Sequence, residues 1–189
     1  LFFRRQRGLA LGRDLAHQHV TRLHFGTHVN DAGLVQPVQL LLGQVRDMNS
    51  YALHAAARLA GARPEILGIV RDDYASLAQA MRDALPRVDM LIVSGGSSIG
   101  VRDFAREAID SLGKPGVLVH GVAVKPGKPT IIAVADGIPI FGLPGHPVSC
   151  LTVFRLLVEP AIARWMGGRL VSRELVARIG ANVASAAGR

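Results

Sequence analysis

Val88-Asp89-Met90-Leu91-Ile92-Val93-Ser94-Gly95-Gly96-Ser97-Ser98-Ile99-Gly100 is the stretch on which the reading of the fold turns. Its first six residues are apolar apart from Asp89, the pattern of a parallel strand covered on both faces. The run passes straight into serines and glycines. A helical pattern follows over residues 103–112, with Phe104, Ala108, Ile109 and Leu112 in register and Gly113 at its end. A buried strand, a glycine-rich turn and an amphipathic helix in succession form part of a βαβ unit. Open α/β sheets bind ligands at the carboxyl ends of their strands, where this turn sits. Glycines let a phosphate approach the backbone, and N–H groups with serine hydroxyls can surround it. The alternative is a plain tight turn. The spacing fits neither the dinucleotide fingerprint nor the Walker A loop.

Working outward, the alternation continues on both sides. Asn49 is a plausible N-cap for an Ala/Leu-rich helix over residues 50–60 that stops at Gly61. Residues 65–70 read as a short strand. Asp72 or Asp73 can cap the next helix, whose Leu77, Met81, Ala84 and Leu85 share one face and which Pro86 ends. Downstream, residues 117–124 read as a strand. Residues 130–135 and 138–142 flank Asp136-Gly137, a strong hairpin signal. A long, mostly buried helix is expected over 148–166, kinked by Pro160 and stopped by Gly167-Gly168. Residues 170–179 read as a final strand. The expected fold class is α/β, a three-layer α-β-α domain whose mostly parallel sheet carries an antiparallel hairpin at its edge.

Residues 1–42 read differently. They show no sustained period, and 38–42 form at most one short strand. His17, His19, His24 and His28 could suggest a metal site, but no carboxylate or cysteine is set around them. A disordered basic arm or a misread segment is expected there. The expected organisation is therefore 1–42 as an atypical arm, 43–168 as the α/β domain, and 169–189 as the first strand of a further domain.

Composition narrows the partners. The chain has 189 residues and a formal net charge of +8. About half the residues are apolar and few are aromatic, so the core must be aliphatic. No apolar run reaches the roughly 18 residues needed to span a membrane, and Leu1-Phe2-Phe3-Arg4-Arg5 is not expected to open a secretory signal, because no long apolar region follows the charges. The single Cys150 allows no internal disulfide, so a reducing, cytoplasmic setting is expected. The arginines are scattered, with no aromatic-plus-basic stripe of the kind that stacks bases, so nucleic acid is not the expected partner. A phosphate-bearing small molecule suits the charge better.

Three further constellations carry chemistry. Lys125-Pro126-Gly127-Lys128-Pro129 holds two of the chain's three lysines. Its prolines fix φ, so the ammonium groups are presented with less entropy to lose. Paired cations on a stiff loop suit a phosphate or a dianionic oxyanion; the alternative is a solvated turn. Gly142-Leu143-Pro144-Gly145-His146-Pro147-Val148-Ser149 ends a strand and opens the long helix. Pro147 near the first helical position leaves the free N–H groups of that turn for an anion, and Ser149 adds a hydroxyl. His146 either donates to an anion or caps the helix. The acids Asp47, Asp72, Asp73 and Asp103 remain. Carboxylates beside phosphate loops hold Mg²⁺, but Asp73 and Asp103 also precede helices, where capping is their ordinary role. For Asp73 the two readings are balanced; Asp103, just beyond the glycine loop, leans towards metal.

Taken in order, these pieces resemble the molybdopterin molybdotransferase family, which includes the C-terminal domain of gephyrin. The matching segments are Gly43-Gln44-Val45-Arg46-Asp47-Met48-Asn49-Ser50, Gly68-Ile69-Val70-Arg71-Asp72-Asp73, Ser94-Gly95-Gly96 with Gly100 and Asp103-Phe104, Lys125-Pro126-Gly127-Lys128-Pro129, and Gly142-Leu143-Pro144-Gly145 with Pro147-Val148-Ser149. They cover residues 43–168. Related adenylyltransferases share the Ser-Gly-Gly loop but lack the Lys-Pro-Gly-Lys-Pro and Gly-Leu-Pro-Gly pair.

The resemblance implies a fold like that of molybdenum cofactor biosynthesis domains and a reaction in which molybdate displaces AMP from adenylylated molybdopterin. It implies that Lys125, Lys128 and Ser149 hold molybdate. Ser94, Gly95, Gly96, Ser97, Ser98 and Gly100 would hold the pterin phosphate or nucleotide, with Gly145, His146, Asp47 and Asn49 completing the substrate set. Asp73 and Asp103 would serve Mg²⁺ and, with the two lysines, the chemistry. It also implies a homo-oligomer, a dimer in the full-length family. The alternatives are a molybdopterin adenylyltransferase or a non-catalytic scaffold that binds a partner peptide. There are departures. The family's domain opens with a strand carrying Ser-Thr-Gly-Asp-Glu, which residues 1–42 do not contain, so the sheet is expected to lack that strand and one acid. Val101 stands where many relatives carry an acid, and His146 where many carry Asn. The family's two N-terminal domains are missing, so the chain is expected to be a piece of a longer protein.

Overall fold

The computed structural model describes residues 2–3, 27–29, 35–37, 47–95, 104–169 and 175–182. The chain forms two compact units, one of residues 6–46 and one of residues 1–5 with 47–189. In the first, β2 (Thr27–Val29) pairs antiparallel with β3 (Val35–Pro37). The strand expected at 38–42 and His17, His19 and His24 lie outside the described residues.

The larger unit is built on a six-stranded sheet in the order β4-β1-β5-β8-β7-β6. Its strands are β1 (Phe2–Phe3), β4 (Pro64–Glu65), β5 (Met90–Ser94), β6 (Pro115–His120), β7 (Ile131–Ala135) and β8 (Ile138–Leu143). The only parallel ladder among the described residues is β5 with β8; β1 runs antiparallel to β4 and β5, and β7 antiparallel to β6 and β8. The sheet is thus mixed, not mostly parallel in its pairings, although β4, β5, β8 and β6 all point one way. Nor does the β7–β8 hairpin lie at the edge, because β6 pairs outside it. The hairpin itself forms as its sequence demands: Asp136 and Gly137 have φ of 48° and 88°, the two left-handed residues that match strand twist.

The place beside β4 is taken by Phe2–Phe3, in the reverse direction. The strand expected over 65–70 is corrected to Pro64–Glu65, the two residues that pair with β1. Residues 66–70 join no ladder among the described residues, and Ile69 is 84% exposed.

Helices cover both faces, giving the three layers. Alternate strand residues point to opposite sides. On one side Leu91 and Ile140 pack with α2 (Tyr74–Ala84) and α3 (Phe104–Asp110). On the other, Ile92, Phe141 and Leu143 pack with α1 (Asn49–Leu59), α4 (Pro147–Val153) and α5 (Glu159–Trp165). Between α4 and α5 a π turn spans Phe154–Val158, in which the Glu159 N–H donates to the Phe154 carbonyl. The disruption expected at Pro160 takes this form: proline has no N–H for the Leu156 carbonyl, and the helix absorbs the loss by widening one turn.

Two local expectations are corrected. Asn49 is not the N-cap of α1: Met48 occupies that position, and the Asp47 carboxylate accepts from the Ser50 N–H at 3.0 Å. The final strand expected over 170–179 is not seen in its described part, since residues 175–179 are exposed and pair with no strand. Among the described residues no helix is long and apolar enough to cross a membrane.

Candidate functional site

The strand directions decide where the candidate loops fall. In the parallel ladder Ser94 pairs with Leu143, so the serine-glycine turn and the Gly-Leu-Pro-Gly turn leave the sheet at the same edge. The Gly95 N–H donates to the Leu143 carbonyl at 3.1 Å, and a Cβ on Gly145 would stand 3.4 Å from the Gly95 Cα. The two turns are therefore in contact. Ile131 pairs with Gly142 and His120 with Ile131, so the end of β6 and the start of β7 lie at that edge too. The segment joining them carries Lys125 and Lys128. It stands two to three strand spacings, roughly 10–14 Å, from β5. The Gly-Leu-Pro-Gly turn lies between the other two.

The lysine turn is held by its own backbone. The Lys128 carbonyl accepts from the Val122 and Thr130 N–H groups, both at 2.9 Å. The Gly127 carbonyl accepts from the buried Thr130 hydroxyl at 2.6 Å. Gly127 has φ of 135°, and a Cβ there would come 2.5 Å from a Val153 methyl, so the turn seats directly on α4. Both lysines are exposed above it.

The Asn49 side chain, from the start of α1, donates to the Gly145 carbonyl at 2.8 Å, fixing the middle turn from a distant part of the chain. This explains why it does not cap its own helix. Its Oδ1 is buried without a hydrogen-bond partner. Cys150, in the first turn of α4, is buried, and its thiol is pushed up to about 12 by desolvation and then by the Asp47 charge. Asp47, Asn49 and the first turn of α4 are thus neighbours. His146 is exposed at the N-cap position of α4, and its side chain makes no cap hydrogen bond. Of its two expected roles, capping is not adopted. Ser149 is half-buried on the same turn. Gly96, Ser97, Ser98, Gly100 and Asp103 lie outside the described residues.

Asp73 caps α2, accepting from the Ser76 N–H at 2.8 Å. That bond holds its carboxyl below the usual carboxylate range. A depressed folded-state pKa contributes stability that is present above the unfolded pKa and lost as pH falls through the folded one. Asp73→Asn keeps a capping oxygen but removes the titration. Its melting temperature should therefore fall less between pH 6 and pH 3 than that of the parent; parallel curves would contradict the assignment. The carboxylate is thus engaged by its own cap, and a hard cation, which takes one or two carboxylates and keeps several waters, would have to share it. Among the described residues no three His, Cys, Asp or Glu side chains are grouped to hold a metal.

A three-layer α/β domain with these turns gathered at the carboxyl ends of its strands has the arrangement in which open α/β sheets bind ligands. The chain belongs to the family described as "Probable molybdopterin binding domain", whose model matches residues 29–164. It is 38% identical over 124 residues to the molybdopterin molybdenumtransferase of Bacillus subtilis, covering 66% of this chain and 29% of that protein. It is 38% identical over 138 residues to the enzyme of the same name from Nostoc, covering 71% of this chain and 31% of the relative. Among solved structures, the molybdopterin biosynthesis moea protein of Pyrococcus horikosii superposes with a TM-score of 0.61 at 43% identity, over 68% of this chain and 31% of that one. The chain thus spans about a third of the length of the relatives it matches. A molybdopterin biosynthesis protein from Mycobacterium abscessus, at 16% identity and a TM-score of 0.57, shares the fold alone. The expected family and α/β fold class are therefore met.

Sequence reasoning missed Thr130, which it assigned to a strand. Its signal was available: a hydroxyl residue wedged between the lysine turn and an apolar run. It also missed the Asn49–Gly145 bond, which joins residues 96 apart and leaves no local pattern.

Proposed function

We propose that this domain binds adenylylated molybdopterin together with molybdate, for insertion of molybdenum with release of AMP. The observation that carries this reading is the convergence of three turns on one sheet edge, with the Gly-Leu-Pro-Gly turn touching the serine-glycine turn and the lysine turn seated on the helix that follows it. A ligand bearing phosphates needs backbone N–H groups, and a separate tetrahedral dianion needs paired cations. The serine-glycine turn with Ser94 and Gly95 supplies the first, and Lys125 and Lys128 the second. Ser149 and His146 flank the oxyanion, while Asn49 and Asp47 hold the floor between them. Asp73 and Asp103 would hold Mg²⁺, whose charge offsets that of the phosphates. In the reaction water cleaves the phosphoric anhydride, AMP leaves, and the two dithiolene thiols bind molybdenum as one molybdate oxygen departs with their protons as water. The full-length homologous protein is read as an oligomeric enzyme of molybdenum cofactor biosynthesis.

The test is to mix the chain with adenylylated molybdopterin and Mg²⁺, follow binding by pterin fluorescence, and then add molybdate. Binding followed by molybdate-dependent AMP release is expected. Absence of pterin binding would defeat the reading. Consumption of ATP to adenylylate molybdopterin would move the chain to the adenylyltransferases.

A further inference from the structure

We infer that Thr130 is a positioning residue for the oxyanion subsite, setting the conformation of the lysine turn from beneath. This rests on the reading of Lys125 and Lys128 as an oxyanion pair. Thr130 is completely buried, one of two buried polar residues among those described. A buried hydroxyl must find a partner or cost stability. The partner here is the Gly127 carbonyl at 2.6 Å. The same residue's N–H donates to the Lys128 carbonyl at 2.9 Å, and its own carbonyl accepts from the Gly121 N–H at 2.8 Å. Thr130 thus engages the two consecutive peptide groups on either side of Lys128 and ties them to the strand entering the sheet. Gly127 alone could not hold this shape: at φ of 135° it is the residue with most freedom to lose. The methyl of Thr130 fills buried space, while the hydroxyl fixes the turn. The two contributions separate by substitution.

The probe is inorganic molybdate, titrated into the 189-residue chain by calorimetry, with tungstate as a second tetrahedral dianion. Thr130→Ala should bind molybdate about tenfold more weakly, the loss expected for one buried hydrogen bond that positions the cations. Thr130→Ser, which keeps the hydroxyl, should bind like the parent. Thr130→Val keeps the bulk and should bind as weakly as Thr130→Ala, so packing and hydrogen bonding are told apart even where one variant folds poorly. Amide exchange at Val122 and Thr130, both bonded to the Lys128 carbonyl, should accelerate in the alanine and valine forms only. If lysine-to-alanine replacement at 125 and 128 abolishes binding while all three Thr130 variants bind normally, the positioning role is overturned and the oxyanion reading stands. If molybdate binding is absent, or survives loss of both lysines, the oxyanion reading fails and takes this inference with it.

Discussion

Replacing Lys125 and Lys128 together by alanine is expected to lower molybdate-dependent AMP release by a factor of about a hundred or more, while the fold persists. The magnitude follows from removing preorganised charge at the proposed oxyanion subsite; loss of a single such donor costs about 10²–10³ in rate. The fold should persist because both side chains are exposed. Surface substitutions away from caps and buried pairs shift stability by only about 0.5 kcal/mol. The turn itself is held by Thr130, Val122 and the seat of Gly127 on Val153, none of which is altered. The pair is also expected to act jointly. Each single alanine leaves one cation on a stiff loop, so the double variant should lose more than either alone. AMP chromatography alongside a thermal melt separates the two effects. Undiminished AMP release by a folded double variant would remove the lysines from the chemistry.

The sequence made the candidate loops legible because each is written locally. The serine-glycine turn follows an apolar run, the lysine turn sits between prolines, and Pro147 marks the start of α4. Their assembly was legible only by the rule that strand ends gather ligands, and the ladder Ser94↔Leu143 agrees with it. What could not be read was what depends on pairing at a distance. The strand expected over 65–70 needed a partner, and the residues beside it are Phe2–Phe3, which no periodicity in 1–42 announced. The parallel character of the sheet failed for the same reason, since antiparallel β1 and β7 each break a ladder between strands that point the same way. Asn49 was read as a cap from its neighbours in sequence, whereas its amide is committed to Gly145. A short-range signal was overruled by a long-range bond that helps close the site. Pro160 lay between these cases: its missing N–H was certain from its chemistry, but the π turn that accommodates it was one of several ways the helix could respond.

Gly127→Ala is expected to destabilise the domain by about 2–4 kcal/mol, the sum of a backbone conformation that disfavours any Cβ and a methyl forced into a packed seat. For a chain of this size that corresponds to a fall of roughly 5–15 °C in melting temperature. Both contributions are specific. At φ of 135° an L side chain is strained whatever the space, and the new Cβ would lie 2.5 Å from the Val153 Cγ2. Val153 is buried and β-branched, so its methyl cannot rotate away cheaply. The two causes are separable because only one involves Val153. Val153→Ala alone should cost stability by leaving a cavity. In the Gly127→Ala background it should cost less than that, or even restore stability, because the methyl it removes is the one in the way. The double-mutant cycle should therefore show a coupling of about 1–2 kcal/mol in favour of the pair. Strict additivity in denaturant melts would mean that the turn does not rest on α4. In that event the lysines would lose the contact that holds them against the helix opening at Pro147, and with it the geometric case for a shared oxyanion subsite.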